Sequence, residues 1–393
     1  MREVTVLGAT GSIGKSTLDV VGRHPERFRV HALTANRNVE AMARLCREYR
    51  PRVAVMADEV SARGLRERLA GEAAAPSVLA GEAAVTDAVA DAPRGIVVAA
   101  IVGAAGLRPT MAAVAGGHRV LLANKESLVV AGPLLLAEAE RGGAELLPVD
   151  SEHNAIYQCL PAGYRRGEAE RRGVNRILLT ASGGPFRERD PSTLHTVTPE
   201  QACSHPNWSM GRKISVDSAT MMNKGLEFIE ACLLFGMEPD AVDVVIHPQS
   251  VVHSLVSYAD GSVLAQLGNP DMRTPIAHAL GAPDRLAAGV EPLDLFALAR
   301  LDFERPDPAR FPCLSLAEAA MREGGTAPAL LNAANEVAVA GFLDGTLAFT
   351  RIAAVIEATL ARLPAEPAES LEQLMLADAR AREIATEWLR QGV

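Results

Sequence analysis

A glycine-rich turn near the N-terminus is the feature that most constrains the fold of this chain. It follows the apolar run Val4–Leu7 and precedes an amphipathic segment, Ser16–Val21. The turn carries glycine at every third position, namely Gly8, Gly11 and Gly14. A helix N-terminus behind such a turn presents backbone N–H groups and a favourable dipole, so this arrangement predicts a phosphate-binding βαβ unit. A second strand-like run at 28–33 completes a unit of that size.

The glycine spacing distinguishes two kinds of phosphate site. A nucleoside triphosphate loop has the pattern G-x-x-x-x-G-K-[ST], and its first glycine would fall on Ala9. The spacing G-x-x-G-x-x-G is instead a variant of the dinucleotide fingerprint. We therefore predict a dinucleotide site.

The residues after the second strand indicate which dinucleotide is bound. They are Asn36, Arg37 and Asn38, where an NAD site would carry an acidic residue for the ribose hydroxyl. A cation and two amides favour the 2′-phosphate of NADPH, with Arg37 as its charged partner. The alternative is a solvated turn with an incidental arginine.

Composition limits the class of protein. The 393 residues carry a formal charge of −9 with no basic run, which argues against nucleic acid as a partner. The five cysteines are far apart, as in a reduced cytoplasmic protein. We expect no membrane partner, because no apolar run reaches membrane-spanning length and no targeting segment is recognisable.

The order of apolar runs predicts an α/β fold with several domains. Short apolar strands at 52–56, 95–100 and 119–123 alternate with helical segments, which predicts an N-terminal Rossmann-like domain with a parallel sheet over 1–149. The alanine-rich stretch 71–90 is expected to be surface helix and loop. The remaining predicted parts are a central α/β catalytic domain at 150–285 with a flexible loop at 187–211, a proline-rich linker at 286–312, and a C-terminal helical bundle at 313–393.

Two carboxylates after an apolar strand suggest a metal site. Asp150 and Glu152 are two residues apart, so an extended backbone would direct both to the same side. Glu227 is a candidate third ligand, and carboxylates favour Mg²⁺ or Mn²⁺ over zinc. The alternative for the first pair is a simple helix cap.

A second group of polar residues suggests an anionic, oxygenated ligand. Asn223, Lys224 and Glu227 fall on one face of a predicted helix that Ser218 could cap, and Ser182 lies in a small-residue turn after a strand. The loop 187–211 ends near His205, Trp208 and Met210, which suits a lid that excludes water. A surface ion pair and a structural tryptophan are the alternatives. His247 and His253 are expected to be structural.

Eight motifs give the chain a family resemblance over its whole length. They are GATGSIG at the N-terminus, ANKESLV at 123–129, PVDSEHNA at 148–155, ASGGPF at 181–186, HPNWSMG at 205–211, SATMMNKGLE at 218–227, IHPQSVVHS at 246–254 and GNPDMRTPI at 268–276. In order and spacing they resemble the 1-deoxy-D-xylulose 5-phosphate reductoisomerases of the non-mevalonate isoprenoid pathway.

The resemblance implies a role for each matching position. The implied catalytic and metal-binding residues are Lys125, Asp150, Glu152 and Glu227, the last three being the metal ligands. The implied substrate contacts are Lys125, Ser151, Glu152, Ser182, His205, Trp208, Ser218, Asn223, Lys224 and Glu227. The implied NADPH contacts are Thr10, Gly11, Ser12, Ile13, Asn36, Arg37, Asn38, Asn124, Glu126 and Gly211. The family often has lysine where this chain has Arg37.

The implied reaction is the rearrangement and NADPH-dependent reduction of 1-deoxy-D-xylulose 5-phosphate to 2-C-methyl-D-erythritol 4-phosphate by a homodimer. Retro-aldol cleavage with aldol recombination and an α-ketol shift need the same residues, so the sequence leaves both routes open. Two alternatives of other kinds are a plain NADP-dependent dehydrogenase and a non-catalytic NADP-binding sensor of the same fold.

Overall fold

The structure is a computed structural model that describes residues 1–204, 208 and 210–391. The chain divides into two compact units. Unit 1 comprises residues 1–127, 135–154 and 271–292, and unit 2 comprises the other described residues. None of the helices in the described part of the chain has the length and apolar character needed to cross a membrane.

Unit 1 is built on a seven-stranded sheet with neighbouring strands in the order β4-β3-β2-β1-β5-β6-β7. All neighbouring pairs are parallel. The strands are β1 Arg2–Leu7, β2 Phe28–Ala35, β3 Val53–Met56, β4 Ser77–Ala80, β5 Ile96–Ala99, β6 Arg119–Leu122 and β7 Glu145–Pro148. The strand order reverses between β1 and β5, which is where open α/β sheets bind their ligands.

The helices of unit 1 follow its strands in alternation. They are α1 Ser12–Arg23, α2 Val39–Tyr49, α3 Glu59–Arg68, α4 Glu82–Ala90 and α5 Leu107–Ala115, with α11 Arg273–Gly281 added from later in the chain. Helices α6 Lys125–Gly142 and α7 Ser151–Cys159 run through both units. The core includes apolar side chains from β1, β2 and β5 packed against α1, α2 and α11.

One strand of this sheet contradicts the sequence prediction. The stretch 71–90 was expected to hold only surface helix and loop, but β4 lies within it and pairs with β3. Its apolar run, 78–80, is only three residues long and does not stand out from the alanine-rich sequence around it, and alternate residues of this edge strand are exposed.

Unit 2 contains a four-stranded mixed sheet in the order β11-β10-β8-β9. Its strands are β8 Val174–Ala181, β9 Val242–Ile246, β10 Val252–Tyr258 and β11 Val263–Leu267. Strands β8 and β9 are parallel, and the other two pairs are antiparallel.

The helices of unit 2 include the predicted C-terminal helical region. They are α8 Pro199–Ala202, α9 Arg212–Ala219, α10 Met222–Phe235, α12 Leu295–Leu298, α13 Pro312–Glu323, α14 Ala327–Leu343, α15 Arg351–Arg362 and α16 Leu371–Gln391. The segment 286–312, expected to be a linker, is irregular apart from α12, an isolated bridge between Glu304 and Ile246, and Pro312, which begins α13. The predicted α/β fold class with a helical C-terminal region is confirmed.

Candidate active site

The glycine turn lies at the switch point of the unit 1 sheet. Gly8 has φ +81°, and a Cβ on it would lie 2.7 Å from the carbonyl oxygen of Ala100 after β5. A Cβ on Gly14 would lie 2.5 Å from the carbonyl oxygen of Gly8. Both positions therefore require glycine, and together they bring α1 close behind the turn.

The N-terminus of α1 forms the candidate pyrophosphate site. The helix begins at Ser12, and its N-cap Gly11 has an extended backbone and no side chain that could cap the first turn. The N–H groups of Ser12 and Ile13 therefore lie at a helix end of the kind that binds anions, and their predicted NADPH contacts remain predictions. Thr10 lies in the turn itself.

The 36–38 turn follows the carboxyl end of β2. Asn38 is the N-cap of α2, and its Oδ1 accepts a hydrogen bond from the backbone N–H of Ala41 at 3.0 Å. The Arg37 side chain is 79% exposed, and its Nε lies 3.5 Å from Oδ1 of Asp58. The cation predicted for the 2′-phosphate is thus accessible to a ligand. Asp58, which follows β3, was not among the predicted site residues.

Asn124 links the N-terminus of α6 to the loop after β5. It is buried at the N-terminus of α6, where its Oδ1 accepts from the N–H of Ser127 at 2.9 Å. Its Nδ2 donates to the carbonyl oxygens of Ile101 at 2.5 Å and Gly103 at 3.0 Å, and to Oε2 of Glu126 at 3.2 Å. Asn124 therefore has a structural role in holding the loop after β5. The predicted NADPH contacts of Asn124 and Glu126 remain predictions.

Lys125 and Asp150 form an ion pair beyond the carboxyl ends of β6 and β7. Nζ of Lys125 lies 2.5 Å from Oδ2 of Asp150, and both side chains are largely buried. Nδ1 of His153 lies 3.7 Å from the other Asp150 oxygen. Burial by itself raises the pKa of Asp150, but the charge of Lys125 and the neighbouring His153 hold that pKa well below its usual range. His153 was not among the predicted residues.

The local geometry of the two neighbouring carboxylates differs from the prediction. An extended backbone was expected at Asp150 and Glu152, but β7 ends at Pro148 and α7 begins at Ser151. Glu152 therefore lies in the first turn of a helix, where its Oε2 accepts from the hydroxyl of Ser151 at 2.5 Å. Carboxylate and hydroxyl oxygens at this helix end suit a hard cation.

In unit 2, α10 presents the predicted amide, ammonium and carboxylate together. Glu227 accepts hydrogen bonds from Asn223 and from Lys224 on the same helix. Lys224 and Glu227 are both buried. An ion pair held at this depth is not the surface pair considered as the alternative, because surface pairs remain solvated. Glu227 belongs to unit 2, whereas Asp150 and Glu152 belong to unit 1.

Gly184 lies next to two predicted serines of unit 2. The loop after β8 has positive φ at Gly183 and Gly184, and a Cβ on Gly184 would lie 2.6 Å from the carbonyl oxygen of Ser218. The hydroxyl of Ser182 accepts from the N–H of Gly184 at 3.1 Å. The predicted capping role of Ser218 is wrong, because Ser218 lies within α9 and α10 starts only at Met222, after Met221 with φ +63°.

The loop 187–211 carries the remaining predicted residues. His205 lies outside the described residues. The ring centroid of Trp208 is 6.2 Å from that of His253, a buried histidine whose pKa is lowered to about 4 by burial. Gly211 is the N-cap of α9. The closing motion predicted for this loop remains a prediction.

The parallel sheet, the glycine turn at its switch point and the charged side chains beyond its carboxyl ends define a dinucleotide-binding α/β enzyme. Sequence models of 1-deoxy-D-xylulose 5-phosphate reductoisomerase, of its C-terminal domain and of the DXP reductoisomerase C-terminal domain match residues 4–132, 146–235 and 267–384, respectively. The chain belongs to the 1-deoxy-D-xylulose 5-phosphate reductoisomerase family.

Relatives with that name are similar in sequence to this chain over most of its length. The protein from Aromatoleum aromaticum is 61% identical over 98% of this chain and 95% of its own. The protein from Pseudomonas putida strain W619 is 60% identical over 100% and 98%, respectively. These relatives confirm the predicted enzyme class and do not support the non-catalytic sensor.

Solved structures of the family agree with the fold. A reductoisomerase in complex with NADPH, fosmidomycin and magnesium has a TM-score of 0.95 at 46% identity, with both chains covered completely. The enzyme from Zymomonas mobilis in complex with NADPH has a TM-score of 0.91 at 48% identity, covering 99% of this chain and 98% of its own. These complexes confirm the cofactor prediction, NADPH and a divalent metal, for the family.

Proposed function

We propose that this chain converts 1-deoxy-D-xylulose 5-phosphate to 2-C-methyl-D-erythritol 4-phosphate with NADPH and Mg²⁺ or Mn²⁺. The observation that carries the proposal is the buried Lys125–Asp150 pair, next to Glu152, beyond the carboxyl ends of β6 and β7. A plain dehydrogenase would have no need of this acidic site. A rearrangement at a ketone does need it, because a cation and a nearby ammonium stabilise charge on the reacting oxygens.

The proposed metal ligands are Asp150, Glu152 and Glu227. Their oxygen donors fit a hard cation, and the depressed pKa of Asp150 keeps that carboxylate ionised at neutral pH. The bound cation would supply Lewis acidity at the substrate ketone and hydroxyl. Lys125, already directed at Asp150, would stabilise negative charge on a substrate oxygen.

The substrate phosphate is proposed to bind to side chains of unit 2. Lys224 supplies a cation, and Ser182, Ser218 and Asn223 supply uncharged donors. The close approach of Gly184 to Ser218, which joins two of these elements, supports the assignment. The further proposed substrate contacts are Ser151, Glu152, His205, Trp208 and Glu227.

The dinucleotide is proposed to be NADPH, which would supply the hydride. Its pyrophosphate would bind at the N-terminus of α1, and the exposed Arg37 would bind its 2′-phosphate. The other proposed contacts are Thr10, Gly11, Ser12, Ile13, Asn36, Asn38, Asn124, Glu126 and Gly211. Segment 1–149 would bind NADPH, and segment 150–285 would bind the metal and the substrate. Segment 313–393 would form a helical support, connected to the rest by the linker 286–312.

The active form is proposed to be a cytoplasmic homodimer. Strand β11 is at the edge of its sheet, and it exposes Val263 and Leu264, which lie on opposite faces. Phe296 of α12 is 98% exposed. Exposed apolar edges of this kind mark association surfaces, and a second copy is the proposed occupant. A stable, active monomer of 41.5 kDa in light scattering would contradict the dimer.

Five free cysteines support the cytoplasmic location.

Substitution of carboxylates tests the proposed function. Asp150→Asn and Glu227→Gln should each lower kcat/KM at least about a hundredfold, because each removes charge and geometry from a hard-cation site. The control Glu145→Gln changes a half-exposed carboxylate on β7 and should retain activity. Full activity of both site variants in the presence of a chelator would overturn the proposal.

A further inference from the structure

A buried carboxylate that no predicted role includes lies beside the proposed phosphate site. Asp217 of α9 is 1% exposed, and both of its oxygens are bound. Oδ2 accepts from Nζ of Lys213 at 2.9 Å, one turn earlier on the same helix. Oδ1 accepts from Nδ2 of Asn335 at 2.8 Å, which belongs to α14. Asp217 therefore joins α9 to the C-terminal helices by charge-assisted hydrogen bonds.

Helix α9 is short, carries one proposed binding residue and follows directly after another. It has only eight residues, begins directly after its N-cap Gly211 and includes Ser218. Its carbonyl end packs against the backbone of Gly184. Two turns of helix have little rigidity of their own, so tertiary contacts must set their position. The contacts of Asp217 are strong and directional enough to do this.

We propose that Asp217 is a positioning residue, held between Lys213 and Asn335, that sets α9 so that Ser218 reaches the substrate phosphate. The inference rests on the proposed function. It also gives the C-terminal helices a role in the reaction, because Asn335 connects α14 to the helix that carries Ser218. Asp217 itself is not assigned any contact with substrate.

Two buried asparagines on α14 provide a matched test. Asn335 and Asn332 are both completely buried, but Asn332 donates to Glu336 of its own helix and not to Asp217. We expect Asn335→Ala to raise KM for 1-deoxy-D-xylulose 5-phosphate, and Kd for a phosphonate analogue, about tenfold, with kcat changed less than threefold. Asn332→Ala should lower the melting temperature comparably but leave KM within twofold of the original chain.

A second variant decides the question if Asn335→Ala does not fold. Lys213→Gln removes one partner of Asp217 from a partly exposed position and should raise KM several-fold. Unchanged KM in folded Asn335→Ala, or equal KM changes in both asparagine variants, would overturn the inference. If Asn335→Ala does not fold, unchanged KM in Lys213→Gln would do so. If the original chain does not turn over the substrate at all, the proposed function is contradicted, and this outcome is distinct from the KM results of the variants.

Discussion

Replacing Gly14 by alanine should weaken NADPH binding by disturbing the turn behind the pyrophosphate. The added Cβ would lie 2.5 Å from the carbonyl oxygen of Gly8 and 2.6 Å from Cα of Ala9. Ordinary contacts need at least about 3.5 Å, so α1 and the turn must separate by about 1 Å. Overpacking of this kind costs about 1–3 kcal/mol, and a loss of about 1.4 kcal/mol in binding is a tenfold change.

Steady-state kinetics with varied NADPH measures the effect of Gly14→Ala, together with the melting temperature. We expect KM for NADPH to rise about tenfold and KM for the sugar phosphate to change little. Gly22→Ala on the same helix is the control, because its nearest neighbour is the side chain of Tyr49 at 3.4 Å. That variant should be neutral or stabilised by about 0.5–1 kcal/mol. Equal KM values for NADPH in both variants would refute the reasoning.

Three further predictions concern other parts of the molecule. Arg37→Glu should reverse the preference for NADPH over NADH in competitive turnover. An unchanged preference would contradict the assignment of Arg37 to the 2′-phosphate. Trp208 fluorescence should change when a phosphonate analogue binds. If Trp208→Ala lowered the melting temperature but kept full activity, the predicted role of this loop as a lid would be contradicted. His253 has a folded-state pKa near 4, below its unfolded value, so its contribution to stability is complete above about pH 6.5 and is lost as pH falls toward 4. Between pH 7 and 5, His253→Gln should lose about 2 kcal/mol less unfolding free energy than the original chain, and equal losses in denaturant titrations would contradict this.

Most strands of the parallel sheet could be predicted because buried parallel strands are continuous apolar runs. Strands β5 and β6 have this character, and the structure confirms them close to their predicted limits. Strand β4 could not be found in this way, because its apolar run of three residues lies in an alanine-rich stretch and does not stand out from it.

The site was predictable in residue types and less so in geometry. The grouping of Asn223, Lys224 and Glu227 followed from helical spacing, and the structure confirms that they share one helix. The extended backbone expected at Asp150 was wrong, because sequence alone does not show that β7 ends at Pro148. The link from Asp217 to Asn335 joins residues far apart in the chain, so no local pattern could reveal it.

Product analysis tests the central claim most directly. The purified chain would be incubated with NADPH, Mg²⁺ and 1-deoxy-D-xylulose 5-phosphate, and the product identified by NMR against the amount of NADPH oxidised. The account predicts one equivalent of 2-C-methyl-D-erythritol 4-phosphate per NADPH, and no reaction when a chelator is in excess. NADPH oxidation with an unrearranged product, or full turnover in the presence of the chelator, would contradict it.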